Sequence, residues 1–238
     1  MKPRILMTRP EPGASRTAKR LLALGYEPVI FPLTTIVPLA FEMPIGAFDA
    51  LVVTSAQALR SGDFARYRGL PVFAVGDTTA SAASSTGFEH ITIAGGDVSS
   101  IIELVKSVLT PGARLLYVCG KVRRPDLELE LSAAGFALDA VETYDAKPIF
   151  YDEEAIALRT GNEKINAVVL MSRQAAELFD GLRKNTTLGF LAKSALIVCF
   201  SQRIADGLDM DVVVTAQASE DSLVALLARH FPASLLSR

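Results

Sequence analysis

Residues 50–58 read Ala50-Leu51-Val52-Val53-Thr54-Ser55-Ala56-Gln57-Ala58, and residues 167–175 read Ala167-Val168-Val169-Leu170-Met171-Ser172-Arg173-Gln174-Ala175. Each is a short apolar run, a Ser at or near its end, and a stretch that opens a helix. A continuous apolar run bounded by turn residues fits a strand buried on both faces, as in a parallel sheet. The two stretches match at a constant offset, and their surroundings match too. Val72–Ala80 echoes Leu196–Ala205 with a one-residue length change, and Asp97–Val105 echoes Ala218–Leu226. Leu115–Cys119, a helix over Pro125–Ala134, Gly135 and a strand over Leu138–Glu142 echo residues 5–31, with Gly135 matching Gly25. A duplication of about 110–120 residues explains two lobes better than one large domain. Chance likeness is the competing reading, because strand–Ser–helix grammar is generic.

The same grammar runs outward from these stretches. Arg4–Met7 reads as a short buried strand, Thr8 to Gly13 as a loop, and Ser15 to Leu24 as a helix with Leu21, Leu22 and Leu24 on its apolar side. Gly25 ends that helix, Glu27–Phe31 is the next strand and Pro32 closes it. Pro71–Val75 and Ile91–Ala94 are further strands, each followed by a helix, the second running to Leu109 after Gly95-Gly96. Strands alternating with helices predict doubly wound parallel α/β sheets covered on both faces. Two extended, Pro-bearing segments stand outside the repeat, near 34–38 and 145–150. If the chain crosses between lobes at both, the first lobe is 1–36 plus 149–238 and the second is 37–148. Two contiguous lobes are the alternative.

Composition sets the outer limits. The chain has 238 residues, 50% apolar and 21% charged, enough to bury a real core and too apolar for a disordered chain. The apolar stretch Val29–Ala40 is cut by Pro32 and Pro38 and falls short of the ~20 residues of a spanning helix. After Lys2 and Arg4 only Ile5, Leu6 and Met7 precede polar residues, less than the ~7–15 apolar residues of a secretion signal. A cytoplasmic protein with no membrane partner is expected. Cys119 and Cys199 lie far apart, and neither they nor His90 and His230 have zinc-ligand spacing, so neither a disulfide framework nor a metal site is expected. A formal net charge of −2 argues against nucleic-acid binding.

Ligands of open parallel α/β sheets bind at the carboxyl ends of the strands. Here those ends carry Thr8-Arg9, Thr54-Ser55, Gly76-Asp77-Thr78-Thr79, Gly120-Lys121, Ser172-Arg173 and Ser201-Gln202-Arg203, each before a helix. Helix N-termini present unpaired N–H groups and partial positive charge, so they accept carboxylates and phosphates. Ser, Thr and Asp are also ordinary caps. Six such loops together point to a large ligand with several acidic groups. The basic cluster Lys121, Arg123, Arg124 is followed by Asp126, Glu128 and Glu130, which can pair with part of it. Tyr144 precedes the second crossover, where it reaches the ligand or packs on a hinge. The chain has no Gly-x-Ser-x-Gly elbow, P-loop or dinucleotide fingerprint. His90 precedes its strand at the end opposite the ligand side, His230 near the end of the last helix reads as solvent-facing or a C-terminal cap, and the two cysteines read as packing residues.

These residues carry a resemblance. Thr8-Arg9-Pro10, Leu21 to Gly25, Phe31-Pro32-Leu33, Val53-Thr54-Ser55-Ala56, Ala74-Val75-Gly76-Asp77-Thr78-Thr79-Ala80, Gly120 with Arg124 and Leu127, Val141–Tyr144, Ser172-Arg173-Gln174-Ala175 and the Ser201 loop follow in an order that resembles the uroporphyrinogen-III synthase family. Gln57 stands where many members have Asn, and Cys119 where an Arg is common. The resemblance implies two α/β lobes joined by a two-stranded linker, the first lobe taking both chain ends, with the active site in a cleft between them. It implies a cofactor-independent, generally monomeric enzyme that cyclises hydroxymethylbilane, a linear tetrapyrrole with eight carboxylates. Ring D is inverted and water released. Tyr144 matches the tyrosine proposed as general acid. Thr8, Arg9, Thr54, Ser55, Gly76, Thr78, Thr79, Gly120, Lys121, Arg124, Ser172, Arg173 and Ser201 are the expected substrate-binding residues. Transient contact with neighbouring pathway enzymes is a further implied partnership. A bilobal, non-catalytic sensor of small polyanions is the alternative. A nucleotide-sugar transferase lacks an acidic metal-binding motif here.

Overall fold

A computed structural model describes residues 2–232. Met1 and positions 233–238, which the expected first lobe includes, lie outside the described residues. The chain begins with β1 (Arg4–Met7), α1 (Gly13–Ala23), β2 (Glu27–Ile30) and β3 (Thr34–Pro38). It continues through β4 (Ala50–Val53), α2 (Ala56–Arg60), β5 (Val72–Ala74), α3 (Asp77–Thr86), β6 (Ile91–Ile93) and α4 (Val98–Val108). Then come β7 (Arg114–Gly120), α5 (Asp126–Ala133), β8 (Ala137–Pro148), α6 (Glu153–Thr160) and β9 (Ala167–Leu170). The last elements are α7 (Arg173–Asn185), α8 (Leu188–Leu191), β10 (Leu196–Cys199), α9 (Gln202–Ala205), β11 (Val212–Val214) and α10 (Glu220–His230).

The chain divides into two compact units, one built from its start to Thr35 and from Lys147 onward, the other from Ile36–Ala146. The first holds a five-stranded sheet in the order β11-β10-β9-β1-β2, every neighbouring pair parallel. The six-stranded sheet runs β3-β8-β7-β4-β5-β6. Reading β6, β5, β4, β7, β8 against β11, β10, β9, β1, β2 gives the same spatial order twice. That order comes from an echo in which 115–142 corresponds to 5–31, so the internal likeness extends from sequence to topology.

The match reaches single hydrogen bonds. After α1, Gly25 N–H donates to Leu22 O and Tyr26 N–H to Leu21 O, at 3.0 and 3.1 Å. After α5, Gly135 N–H donates to Ser132 O and Phe136 N–H to Leu131 O at the same distances. Both are Schellman ends, in which the residue after the cap is left-handed; Gly25 and Gly135 have φ of 91° and 88°. Leu21 with Tyr26, and Leu131 with Phe136, are the buried apolar pairs that accompany this motif.

In the second unit, alternation along the strands separates two cores. Leu51, Val53, Leu116 and Val118 pack with Ala58, Leu59 and Ala83 from α2 and α3. Ala50, Val52, Leu115, Tyr117 and Cys119 pack with Ile101, Val105, Leu127 and Leu131 from α4 and α5. The sheet is therefore wound on both faces. In the first unit β1 and β9 are wholly buried and share one core with Leu21, Phe179 and Leu223. Arg4 is only 8% exposed, because its guanidinium donates to Glu27 and to the Thr160 carbonyl.

Two expectations need correction. The predicted strand 138–142 and the extended segment after it are one continuous strand, β8, of 12 residues. The sheet is also not parallel throughout. Leu39 N–H donates to Thr143 O, and Ile149 N–H to Leu33 O, so β3 and β8 run antiparallel. The chain leaves β2 and soon meets β8 running the opposite way, so two extended segments satisfy each other's backbone groups without needing a helix between them.

Candidate active site

The parallel register fixes which loop residues are neighbours in the second unit. Val53 is opposite Val118, so the residues that follow, Thr54-Ser55 and Cys119-Gly120, emerge side by side. Gly120 is in turn opposite Tyr144. Ser55, two residues past β4, thus stands level with Gly120 on β7 and Tyr144 on β8. Lys121 N–H closes this end by donating to Tyr144 O at 2.8 Å.

Ser55 caps α2, its hydroxyl oxygen accepting from Gln57 N–H at 3.3 Å, and it also bonds the Tyr144 side chain. Burial pushes the Tyr144 phenol above its ordinary 10.0, a rise that the Ser55 bond opposes and nearby Cys119 reinforces. Tyr144 is therefore protonated at neutral pH and has a proton to give. Next to Ser55 in the chain, Thr54 Oγ1 shares a hydrogen bond of 3.1 Å with Tyr117 Oη, whose ring belongs to the core on the other face of the sheet. Tyr117 is buried, and desolvation pushes its phenol up to about 12. Cys119 is likewise pushed up to about 12, and Cys199 to about 11, in both cases by burial. Both thiols are packing groups, not nucleophiles.

The cationic cluster is largely self-neutralised. Arg123 binds Glu128 at 2.8 Å and Glu142 at 2.6 Å, and donates to Gly120 O at 3.2 Å. Burial lowers the guanidinium's proton affinity, but the bonds to Glu142 and Glu128 more than offset this and raise it overall. Arg124 pairs with Asp126 at 2.5 Å. Lys121 is exposed. In the first unit Arg9 binds Glu220 and Thr17, at 3.1 and 3.2 Å. Arg173 pairs with Glu177 at 2.8 Å and donates to the Asp206 carbonyl.

Several predicted binding residues differ from the expected picture. Thr8 is wholly buried, its hydroxyl donating to Val169 O at 2.6 Å, so its side-chain proton ties β1 to β9. Thr79 is only 4% exposed and turns inward, whereas Thr78 and Gly76 remain accessible at the start of α3. Ser172 caps α7 by accepting from Ala175 N–H at 3.1 Å. Ser201 precedes α9, but that helix has only four residues and provides little dipole. Gly120-Lys121 does not adjoin a helix end either. The next helix, α5, starts at Asp126 with Asp126 and Glu128 in its first turn, which cancels its positive end.

Sequence reasoning missed the partners that organise this end of the sheet. Glu142 reaches Arg123 across a strand pair, and Tyr117 reaches Thr54 from the neighbouring strand; no local spacing announces either. His90 is exposed ahead of β6, its carbonyl accepting from Val72 N–H, and His230 is exposed at the end of α10.

No helix among the described residues is long and apolar enough to cross a membrane. No curated protein matches the chain in sequence. Solved structures resemble it in fold. A uroporphyrinogen-III synthetase from Helicobacter pylori aligns with a TM-score of 0.65 at 16% identity, covering 97% of this chain and 100% of that one. A mutant uroporphyrinogen III synthase from Thermus thermophilus aligns with a TM-score of 0.54, also at 16% identity, covering 94% of this chain and 97% of that one. The family model described as uroporphyrinogen-III synthase HemD matches residues 15–227, a span that contains the Ser55–Gly120–Tyr144 row and the capped loops of both units. The chain belongs to the uroporphyrinogen-III synthase HemD family.

Proposed function

We propose that this protein is a cytoplasmic, monomeric, cofactor-independent lyase that cyclises hydroxymethylbilane to uroporphyrinogen III. The observation that carries the reading is the register that sets Ser55, Gly120 and Tyr144 level with one another past the end of β4, inside the span matched by the family. Tyr144 gives its proton to the terminal hydroxyl of the bilane. The carbon–oxygen bond breaks, water leaves, and an azafulvene cation remains. The substituted carbon of ring D attacks that cation to form a spiro intermediate. This fragments and recloses with ring D inverted. A proton lost as the reclosed pyrrole regains aromaticity returns to the phenolate. The pyrroles supply the driving chemistry, and the protein supplies the fold of the chain and the acid.

The loops at the strand ends are proposed to hold the carboxylates. Accessible backbone N–H groups at Gly76-Thr78, together with Ser172, Arg173, Ser201, Lys121 and Arg124, suit acidic groups. Mixing the purified protein with hydroxymethylbilane and separating the oxidised porphyrins by chromatography tests the reading. The inverted isomer is expected in excess. Only the uninverted isomer at all protein concentrations would overturn it and leave a polyanion-binding sensor.

A further inference from the structure

An irregularity in β8 turns Tyr144 toward its partners. Cys119 is opposite Glu142, yet Gly120 is opposite Tyr144, so Thr143 is an extra residue against β7. Side chains alternate along a strand, so Val141 and Tyr144, three apart, belong on opposite faces of a regular one. Both pack on the same core, with Leu116, Val118 and Ala58. The bulge adds the residue that restores the face. It is anchored by Thr143, which is wholly buried and donates to Ala58 O at 2.8 Å.

The turned ring has room because Gly120 has no side chain. A Cβ there would stand 2.6 Å from Tyr144 Cζ and 2.8 Å from its hydroxyl oxygen, distances no real contact tolerates. Ser55 then meets the phenol. Its oxygen accepts from Gln57 N–H, its proton is not used by that bond, and its bond to Tyr144 favours the ionised phenol, the sense of a donor.

We propose that Gly120 and Ser55 are positioning residues for Tyr144, the bare Cα of Gly120 forming the seat of the ring and the Ser55 hydroxyl donating to the phenol oxygen. The proposal rests on the reading of Tyr144 as proton donor. With Ser55 donating, the Tyr144 proton is directed away from Ser55, toward whatever accepts it. As Tyr144 gives up that proton, negative charge gathers on its oxygen and the Ser55 bond becomes charge-assisted, roughly twice as strong as a neutral one. Ser55 thus favours the transition state over the ground state.

A double-mutant cycle with a spectroscopic arm tests this. Gly120→Ala and Ser55→Ala are each made alone and on Tyr144→Phe, and Ser55→Thr keeps the hydroxyl. Each alanine variant is expected to lower kcat about 10–100-fold with KM nearly unchanged. On Tyr144→Phe the same changes are expected to cost less than about threefold, because the route through the hydroxyl is gone. Ser55→Thr is expected to retain most of the activity. In protein carrying carbon-13 at the tyrosine ring, the Tyr144 titration is expected to move to higher pH in Ser55→Ala and to lower pH in Gly120→Ala. Equal losses in both backgrounds, or a Tyr144 titration unmoved by both substitutions, would overturn the proposal. A fully active Tyr144→Phe enzyme would defeat the catalytic reading instead, and the titration would still decide whether the two residues seat the ring. If Gly120→Ala does not fold, the Ser55 pair carries the same test.

Discussion

Tyr144 combines two properties that pull in opposite directions. Burial raises its proton affinity, which weakens it as an acid, while Ser55 lowers it. The net rise keeps the phenol protonated well into alkaline solution. The acid form is the active one, so kcat/KM is expected to hold to pH values above 10.0 and to fall only beyond them. Tyr144→Phe is expected to lower kcat and kcat/KM together by about 10²-fold or more, and to abolish that alkaline limb. Its melting temperature should drop little, since the ring stays and one hydrogen bond is worth about 0.5–1.5 kcal/mol. Rate profiles of the two proteins from pH 6 to 11 check this; a Phe variant with the same limb would assign it to another group. Among the cations, Arg9, Arg124 and Arg173 are already paired with carboxylates, and Lys121 is exposed. Rising salt is expected to lower kcat/KM for so acidic a substrate, and Lys121→Gln to flatten that slope more than Arg9→Gln does. Stopped-flow rates at several ionic strengths measure both slopes.

At the scale of elements, the loop between β7 and α5 is held by Arg123. Its guanidinium spans the Gly120 carbonyl, Glu128 on α5 and Glu142 on β8. The side chain is 21% exposed, so the pairs lie between the weak exposed limit and the costly buried one. Arg123→Ala leaves two carboxylates facing each other without their cation. A loss of about 1–3 kcal/mol is expected, read from urea unfolding. Unchanged stability would show that Glu128 and Glu142 rotate to solvent. This clamp was half legible in advance. The alternation of Lys121, Arg123, Arg124 with Asp126, Glu128, Glu130 announces local pairing. Glu142 does not announce itself, because its distance in sequence from Arg123 collapses only when β7 and β8 pair.

At the largest scale, each unit has its own hydrophobic clusters among the described residues. Residues of the first unit form one hydrophobic cluster, and those of the second form two on opposite faces of their sheet, with no residue shared between units. Native-state hydrogen exchange is expected to show two slow sets, one in β1 and β9 and the other in β4 and β7, with different opening free energies. A single common isotherm for all slow amides would contradict this. Alkaline stability follows from the buried acids. Tyr117 and Cys119, pushed up to about 12, and Cys199, pushed up to about 11, stay neutral in the fold. The unfolded chain ionises them from 10.0 for tyrosine and 9.0 for cysteine. Their folded values are raised, so their contribution is complete below about pH 9 and is lost progressively toward pH 12. The melting temperature should fall over that window, and Cys119→Ala should make the fall shallower.

What the sequence determined by itself is local and periodic. Four-residue apolar runs such as 50–53 and 167–170 specify buried parallel strands, because only a strand covered on both faces needs no polar side. Gly25 and Gly135 specify the helix ends, because the left-handed turn there excludes other side chains at little cost only for glycine. Ser55 and Ser172 specify helix starts, because their hydroxyls reach N–H groups two or three residues on. The repeated order of these signals indicated the duplicated architecture and the family. The tertiary structure alone decided what depends on register. It placed Ser55, Gly120 and Tyr144 in one row, and it used Thr143 as a bulge that no composition rule reveals. It also took the Thr8 hydroxyl into the sheet and paired the cations that sequence left open. Apart from the local pairs Arg124–Asp126, Arg123–Glu128 and Arg173–Glu177, each of these is a contact between segments distant in the chain. Their residue types allow several partners, and only the pairing of β4 with β7, β7 with β8, and β1 with β9 selects one.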